Sequence, residues 1–359
     1  EKESGTENEF YIEIELLNPL LSPNSPVLGF KSRVNITEED LHSVLTGTSS
    51  AHNLESELYV QPSYVVYRIC RLGHNKKYLC LYSSIDTLKV SQKPFSISVL
   101  NNVITDDTLL GSISVTPEEL NEKPELLCNS GFAKWNLKYD IINESDSCYS
   151  EKNQTCVPLG LKVNVVGSVC FDNIEYVVTP YKSFGYIEHY WGNNFPETWF
   201  HCSSSDITSL ITGKTLTNTS FSINGVFQNK ISVVANIEGL KIEFKASDSD
   251  RIYNSVFDCL QSPSTNDENE NSEKLHWSVS VNNKNWVIDI DIFCSIGDLY
   301  NRILECPDGN RLILNEVQTS RGIGELKIYK KTKHILEQIE YAKINKAFCE
   351  FGNKEEKNS

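Results

Sequence analysis

Apolar and polar residues alternate one for one through segment after segment of this 359-residue chain. A period of two dictates extended strands that turn one face to a core, because successive side chains of a strand point to opposite sides. Phe10-Tyr-Ile-Glu-Ile-Glu-Leu-Leu17 is the first instance, followed by Tyr64–Cys70 and Tyr78–Tyr82 as a hairpin around Gly73. Phe95–Leu100, Ala133–Tyr139 and Leu161–Val166 continue the pattern. In the second half it recurs at Phe221–Asn224, Ile231–Ala235, Leu240–Lys245, Trp277–Val281, Trp286–Ile292 and Glu325–Tyr329. Many short strands separated by Asn, Gly and Asp turns predict an all-β protein of antiparallel sandwiches or barrels, and the length suits two of them.

Helix signals are few. Thr37-Glu-Glu-Asp40 reads as a capping box opening a short helix, with Leu41, Val44 and Leu45 as its apolar stripe and Gly47 beyond its end. Lys333–Asn345 has helical spacing through Ile335, Leu336, Ile339 and Ala342. Ser262–Glu273 is an acidic, solvated loop between strands, and a boundary falls near Thr179–Ser183. The expected organisation is a β domain over 1–180, a second over 181–353 and a disordered tail over 354–359.

The formal charge of −15 argues against nucleic-acid binding and disfavours an anionic membrane surface, since both need a basic face. No stretch approaches the ~20 apolar residues of a membrane helix. Glu1–Glu9 has no signal-peptide pattern. The eleven cysteines include no CxxC, which removes the zinc-ribbon and thioredoxin-type readings. Cys148 and Cys156 bracket a polar loop and Cys70 and Cys80 flank the Gly73 turn, so either pair is placed to bridge; buried free thiols are the other reading. Sequons at Asn35, Asn143, Asn153 and Asn218 and the odd cysteine count lean towards a secretory route.

One segment stands apart from the alternation. Gly185-Tyr-Ile-Glu-His-Tyr-Trp-Gly-Asn-Asn-Phe-Pro-Glu-Thr-Trp199 packs five aromatics, two carboxylates and a histidine in among glycines and a proline. That density of rings beside a few polar groups reads as the wall of an apolar pocket. The segment, with Phe184 before it, resembles the GYIEKxWGxxFPxxW signature of the tocopherol cyclase-like family, itself related to the lipocalin-like carotenoid hydratases. Gly111–Pro117, Ser130–Leu137, Leu304–Asn310, Asn315–Val317, Gly324–Tyr329 and Cys349–Gly352 are looser matches to the same group. The resemblance implies two tandem lipocalin-like β-barrels, a long hydrophobic ligand of isoprenoid or lipid type, and no metal or nucleotide cofactor. For the cyclase itself it implies proton-initiated closure of a ring on a prenylated quinol. Where the family continues with a Trp, a Gln and an Asn, this chain has His201, Ser203 and Ser205, which shortens and rewets that part of the pocket.

Protonating an alkene needs a carboxylic acid in an apolar setting, and Glu188 is the candidate acid. His189 is its neighbour in sequence but points to the other side of a strand, and His201 or Tyr190 would orient the ring hydroxyl of the ligand. A structural role for Glu188, bonding the Trp191-Gly192 turn, is the alternative. Tyr186, Tyr190, Trp191, Phe195, Trp199, Ser203 and Ser205 are the candidate ligand contacts, while Trp135, Trp277 and Trp286 read as core. His189, His201, Cys202 and Asp206 match no metal-ligand spacing, and GxSxG, P-loop and Rossmann fingerprints are absent. Three functions fit: binding or carrying a hydrophobic small molecule in a barrel, cyclase-like proton transfer on such a molecule, or an interaction protein whose barrel is filled by its own side chains. The oligomeric state is left open.

Overall fold

A computed structural model of the chain describes residues 8–17, 27–28, 59–60, 64–72, 76–122, 128–147, 149–151, 154–180, 182–192, 198–226, 230–244, 253–261, 273–305, 313–333 and 335–354. The alternating segments named above fall on strands, Leu100 being a turn residue and Lys245 lying outside the described residues, and the described residues are all-β and antiparallel apart from a few short helical turns. The chain divides into two compact units. One takes Glu1–Tyr139, Val166–Thr179 and Glu305–Leu312; the other takes Asp140–Val165, Pro180–Leu304 and Ile313–Ser359.

The first unit opens with β1 (Glu9–Leu17), β2 (Val27–Leu28), β3 (Tyr59–Val60), β4 (Tyr64–Leu72) and β5 (Lys77–Ser84). β4 and β5 form the expected hairpin, β1 pairs with β4 on the other side, and β2 pairs with β3. The ladder sets Cys80 opposite Arg68 and Cys70 opposite Tyr78, two positions out of step, and neither cysteine is in a disulfide. The Cys70–Cys80 bridge considered from the sequence is therefore not made. Arg68 is almost fully buried, and a guanidinium withdrawn from water needs counter-charges; Glu15 and Glu13 (3.1 Å) supply them from β1.

β6 (Leu88–Gln92), β7 (Phe95–Val99), β8 (Asn102–Thr105) and β9 (Thr108–Val115) meander into the short helix α1 (Pro117–Glu122). Thr116 caps it: its Oγ1 accepts from Glu119 N (3.1 Å) while Glu119 returns a carboxylate to Thr116 N (2.9 Å), with proline at the first helical position. β10 (Gly131–Glu144), β11 (Tyr149–Glu151), β12 (Gln154–Phe171) and β13 (Ile174–Val178) follow. Trp135 on β10 is fully buried and stacks on Tyr67 (centroids 5.6 Å apart, planes at 27°), and Gly111 leaves the room its indole fills. Gly167 holds φ +139° with its Cα against the Asn136 carbonyl, an approach that a β-carbon would block.

The second unit is built on β14 (Gly185–Gly192), β15 (Thr198–Ser209), β16 (Ser220–Val226), β17 (Lys230–Ile237), β18 (Leu240–Phe244), β19 (Tyr253–Gln261), β20 (Glu273–Asn282), β21 (Trp286–Ser295), β22 (Tyr300–Glu305), β23 (Ile313–Thr332) and β24 (Ile335–Lys354). β14 pairs with β12; the others form one sheet in the order β18-β17-β16-β15-β24-β23-β21-β20-β19, with β22 alongside β23. One face of that sheet is a continuous apolar core, including Phe200, Cys202, Phe221, Ile223, Val233, Trp277, Ile290, Leu326 and Ile344. The helix expected over 333–345 is instead the start of β24, zipped to β23 from Thr332↔Ile335 onwards. Ile335, Leu336 and Ile339, which made the helical spacing, are surface residues, whereas Ala342 and Ile344 face the core at strand spacing.

The Thr37–Gly47 helix, Cys148, Phe195, the acidic loop over 262–272 and the tail over 355–359 lie outside the described residues. Removing the indole that anchors the first unit, by Trp135→Ala, should cost about 3–5 kcal/mol of stability. Urea unfolding followed by fluorescence measures it, and a loss under about 1 kcal/mol would contradict a close-packed Trp135.

Candidate functional site

The two faces of β15 set up the site. Alternation sends Phe200 and Cys202 into the apolar core and turns Trp199, His201 and Ser203 to the opposite face. The ladder places His201 across from Asn224 on β16 and Glu350 on β24, and Ser203 across from Ser222 and Phe348. This second face is polar yet sealed: His201, Ser203 and Ser222 are each at most 3% exposed. β14 covers it with Tyr186 and Glu188, alternate residues that share a side, and β12 adds Cys156 opposite Tyr190.

The hydrogen bonds of this cluster have a single direction. Asn224 Nδ2 donates to Ser222 Oγ (3.1 Å), which turns Asn224 Oδ1 towards His201 Nδ1 (2.7 Å). A carbonyl oxygen only accepts, so Nδ1 carries the imidazole proton and Nε2 accepts from the Ser203 hydroxyl (3.1 Å). Ser222, already accepting from Asn224, donates to Tyr186 Oη (3.0 Å), and Tyr186 donates to Glu188 Oε2 (2.9 Å). The chain runs Ser203, His201, Asn224, Ser222, Tyr186 and ends on Glu188. Bonds aligned this way polarise one another.

Glu188 Oε2 also receives the Cys156 thiol (3.6 Å) and lies 3.7 Å from His201 Nδ1. Burial, and then the Glu188 charge, push the Tyr186 phenol well above its ordinary value of 10.0, so it stands as a neutral donor. The His201 ring lies between those of Tyr186 (5.1 Å) and Phe348 (5.8 Å). The Glu188 side chain is 27% exposed against 4% for His201, so the carboxylate is the open end of the chain.

Tyr186, Glu188, His201 and Ser203 are thus brought together. Glu188 meets these side chains, and Trp191 and Gly192 continue β14 as strand rather than forming a turn. Tyr190 and Trp191 are exposed, and His189 turns outward with its ring 5.1 Å from that of Trp191. Trp199 is buried against Gly352, and its indole N–H donates to Glu350 (3.2 Å), which also accepts from Gln318 (3.1 Å). Ser205 sits buried in the irregular step of β15 between Ser203 and Asp206, outside the hydrogen-bonded chain. Sequence reasoning missed Ser222, Asn224 and Cys156. Their only signal was the polar half of an alternating strand, which reads as solvent-facing until another strand covers it.

The sequon residue Asn143 is buried and donates to Ser220 Oγ (2.8 Å), the hydroxyl of the Asn218 sequon, so the two motifs occupy each other in the fold. Among the described residues, no group of three or more His, Cys, Asp or Glu is arranged to hold a metal ion, and no helix is long and apolar enough to cross a membrane.

No protein-family model matches the chain, and no curated protein matches it. Among solved structures it is similar to kievitone hydratase from Nectria haematococca, at 12% identity and a TM-score of 0.38 over 80% of this chain and 79% of the other. A Nitrosomonas europaea protein provisionally described as an ATTH is similar at 8% identity and a TM-score of 0.38, over 83% of each chain. Neither likeness singles out the cyclase named above.

Tyr186 holds its proton more tightly in the folded chain than in the unfolded one. The stability it contributes is complete below pH 10 and is lost as pH rises from there towards the higher folded value. Buried Tyr67 acts in the same direction. The thermal midpoint should therefore fall above about pH 10, and Tyr186→Phe should make that fall shallower. Melting curves between neutral and strongly alkaline pH measure both slopes, and equal slopes would contradict the buried phenol.

Proposed function

We propose that the chain binds a largely apolar small molecule and moves a proton on it at Glu188, as an acid–base isomerase or lyase does. The observation that carries the reading is the position of Glu188, the accessible end of a sealed, directed hydrogen-bond chain with a histidine 3.7 Å behind it. As an acid, Glu188 gives its proton to a ligand double bond, and the carboxylate left behind keeps the Tyr186 and Cys156 donors. The carbocation is captured by a hydroxyl of the ligand itself or by water, and the proton released returns to Glu188. His201, 3.7 Å behind the carboxylate, fixes the orientation of the chain of bonds between Asn224 and Ser203.

Ring closure on a prenylated quinol is the specific form implied by the family resemblance of the Gly185–Trp199 segment. Ser203 and Ser205 in place of amides argue for a different ligand head in this chain. A second reading, ligand binding without chemistry, is favoured by one observation: the members of the chain from Ser203 to Glu188 hydrogen-bond one another, as a purely structural network would.

The test is incubation of the purified chain with a panel of prenylated quinols, scored by chromatography and mass spectrometry for an isomer with one ring more. Glu188→Gln should lower turnover by at least ~100-fold while binding persists. Binding without turnover in the wild-type chain supports the second reading, and neither binding nor turnover rejects both for this ligand class.

A further inference from the structure

The polar face of β15 continues across the sheet beyond the cluster around His201. Glu350 on β24 is the ladder neighbour of His201, and Gln318 on β23 is the ladder neighbour of Glu350. Asn224, His201, Glu350 and Gln318 therefore form one row across four strands. Glu188 overlies this row at His201, 3.7 Å from its Nδ1.

The carboxylate of Glu350 fixes how Gln318 sits. One of its oxygens accepts from the Trp199 indole N–H (3.2 Å) and the other from Gln318 Nε2 (3.1 Å). A carboxylate only accepts, so it takes the nitrogen end of the amide and leaves Oε1 as the end turned away. Gln318 is fully buried, and its Oε1 has no hydrogen-bond partner among the described residues. Native folds leave few buried acceptors in that state, because the bonds to water are lost without replacement. The rest of the row is paired: His201 with Asn224 and Ser203, Glu350 with Trp199 and Gln318. The row lacks one donor, and it lacks it at Gln318.

Resting on the ligand-binding function proposed for this face, we propose that Gln318 recognises a hydroxyl group of the ligand, remote from the double bond protonated at Glu188. Among neutral groups on an apolar molecule, a hydroxyl gives the proton that Oε1 needs, whereas a carbonyl or ether oxygen offers only a second acceptor. Glu350 is half-buried while Gln318 is sealed, so the row opens at the carboxylate and the amide oxygen lies behind it. β15 and β23 are two strands apart, about 10 Å at ordinary sheet spacing. The hydroxyl read at Gln318 is therefore not the one that captures a cation beside Glu188. Gln318 touches no reacting atom and acts as a specificity residue.

The experiment is calorimetric titration of the full chain with two probes, 2-farnesylhydroquinone and 2-farnesylphenol. The phenol lacks only the hydroxyl far from the prenyl chain. The hydroquinone should bind roughly tenfold more tightly to the wild-type chain, the margin of one hydrogen bond. Gln318→Met keeps the length of the side chain and removes the oxygen, and should abolish that preference while both probes still bind. A purely structural Gln318 would weaken both probes alike and leave their ratio unchanged, which counts against the proposal. Equal affinities in the wild-type chain would overturn it without reference to any variant, with solvent as the only donor to Oε1. Binding of neither probe would reject the ligand-binding function of the face, and the hydroxyl site with it. Failure of the hydroxyl site alone is distinguished by both probes binding without discrimination.

Discussion

Strand β15 is buried on both sides, and its two sides are chemically opposite. Phe200 and Cys202 complete an apolar core, where burial is favourable in proportion to area. His201 and Ser203 are withdrawn from water on the other face, where each unpaired polar group costs about 1–3 kcal/mol. That cost decides the surroundings. Asn224 and Ser222 on β16 and Tyr186 and Glu188 on β14 are the partners that make such a face tolerable. The chain of bonds has one consistent orientation because two of its members, the amide oxygen and the carboxylate, can only accept.

The same requirement explains why the candidate chemistry lies on the polar face. The apolar face is occupied by its own side chains, whereas the polar face ends in a carboxylate that still reaches solvent. Glycines make this geometry possible. Gly352 gives up a side chain so that the Trp199 indole lies against β24 and bonds Glu350, and Gly324 lets β23 approach the Asp291 carbonyl on β21. Irregular steps at Ser203/Asp206 and at Thr319/Gly322 re-aim the long strands next to these contacts, as bulges do.

The first unit solves the equivalent problem with charge. Arg68 is buried at the centre of a three-stranded sheet and is neutralised by Glu15 and Glu13, whose alternate positions on β1 bring both to one side. The Glu-Ile-Glu alternation of β1 is plain in the sequence, but the sequence names no partner for its carboxylates. Its function as a counter-charge to an arginine 53 to 55 residues away depends on the register.

By itself, the sequence determined the all-β class, because a period of two admits no other regular structure, and it located many of the strands between Phe10 and Tyr329 but not β15, which carries His201. It also isolated Gly185–Trp199, whose composition no simple strand requires. It misread 333–345 because Ile335, Leu336 and Ile339 are surface residues whose spacing mimics a helix by coincidence. Tertiary structure alone decided which polar alternates face solvent and which face another strand. That decision turned Glu188 towards His201, Ser222 and Asn224 into the same cluster, and Tyr190 and Trp191 outward. Alternation specifies that a side chain points up or down; only the stacking and register of strands far apart in sequence specify what it meets there.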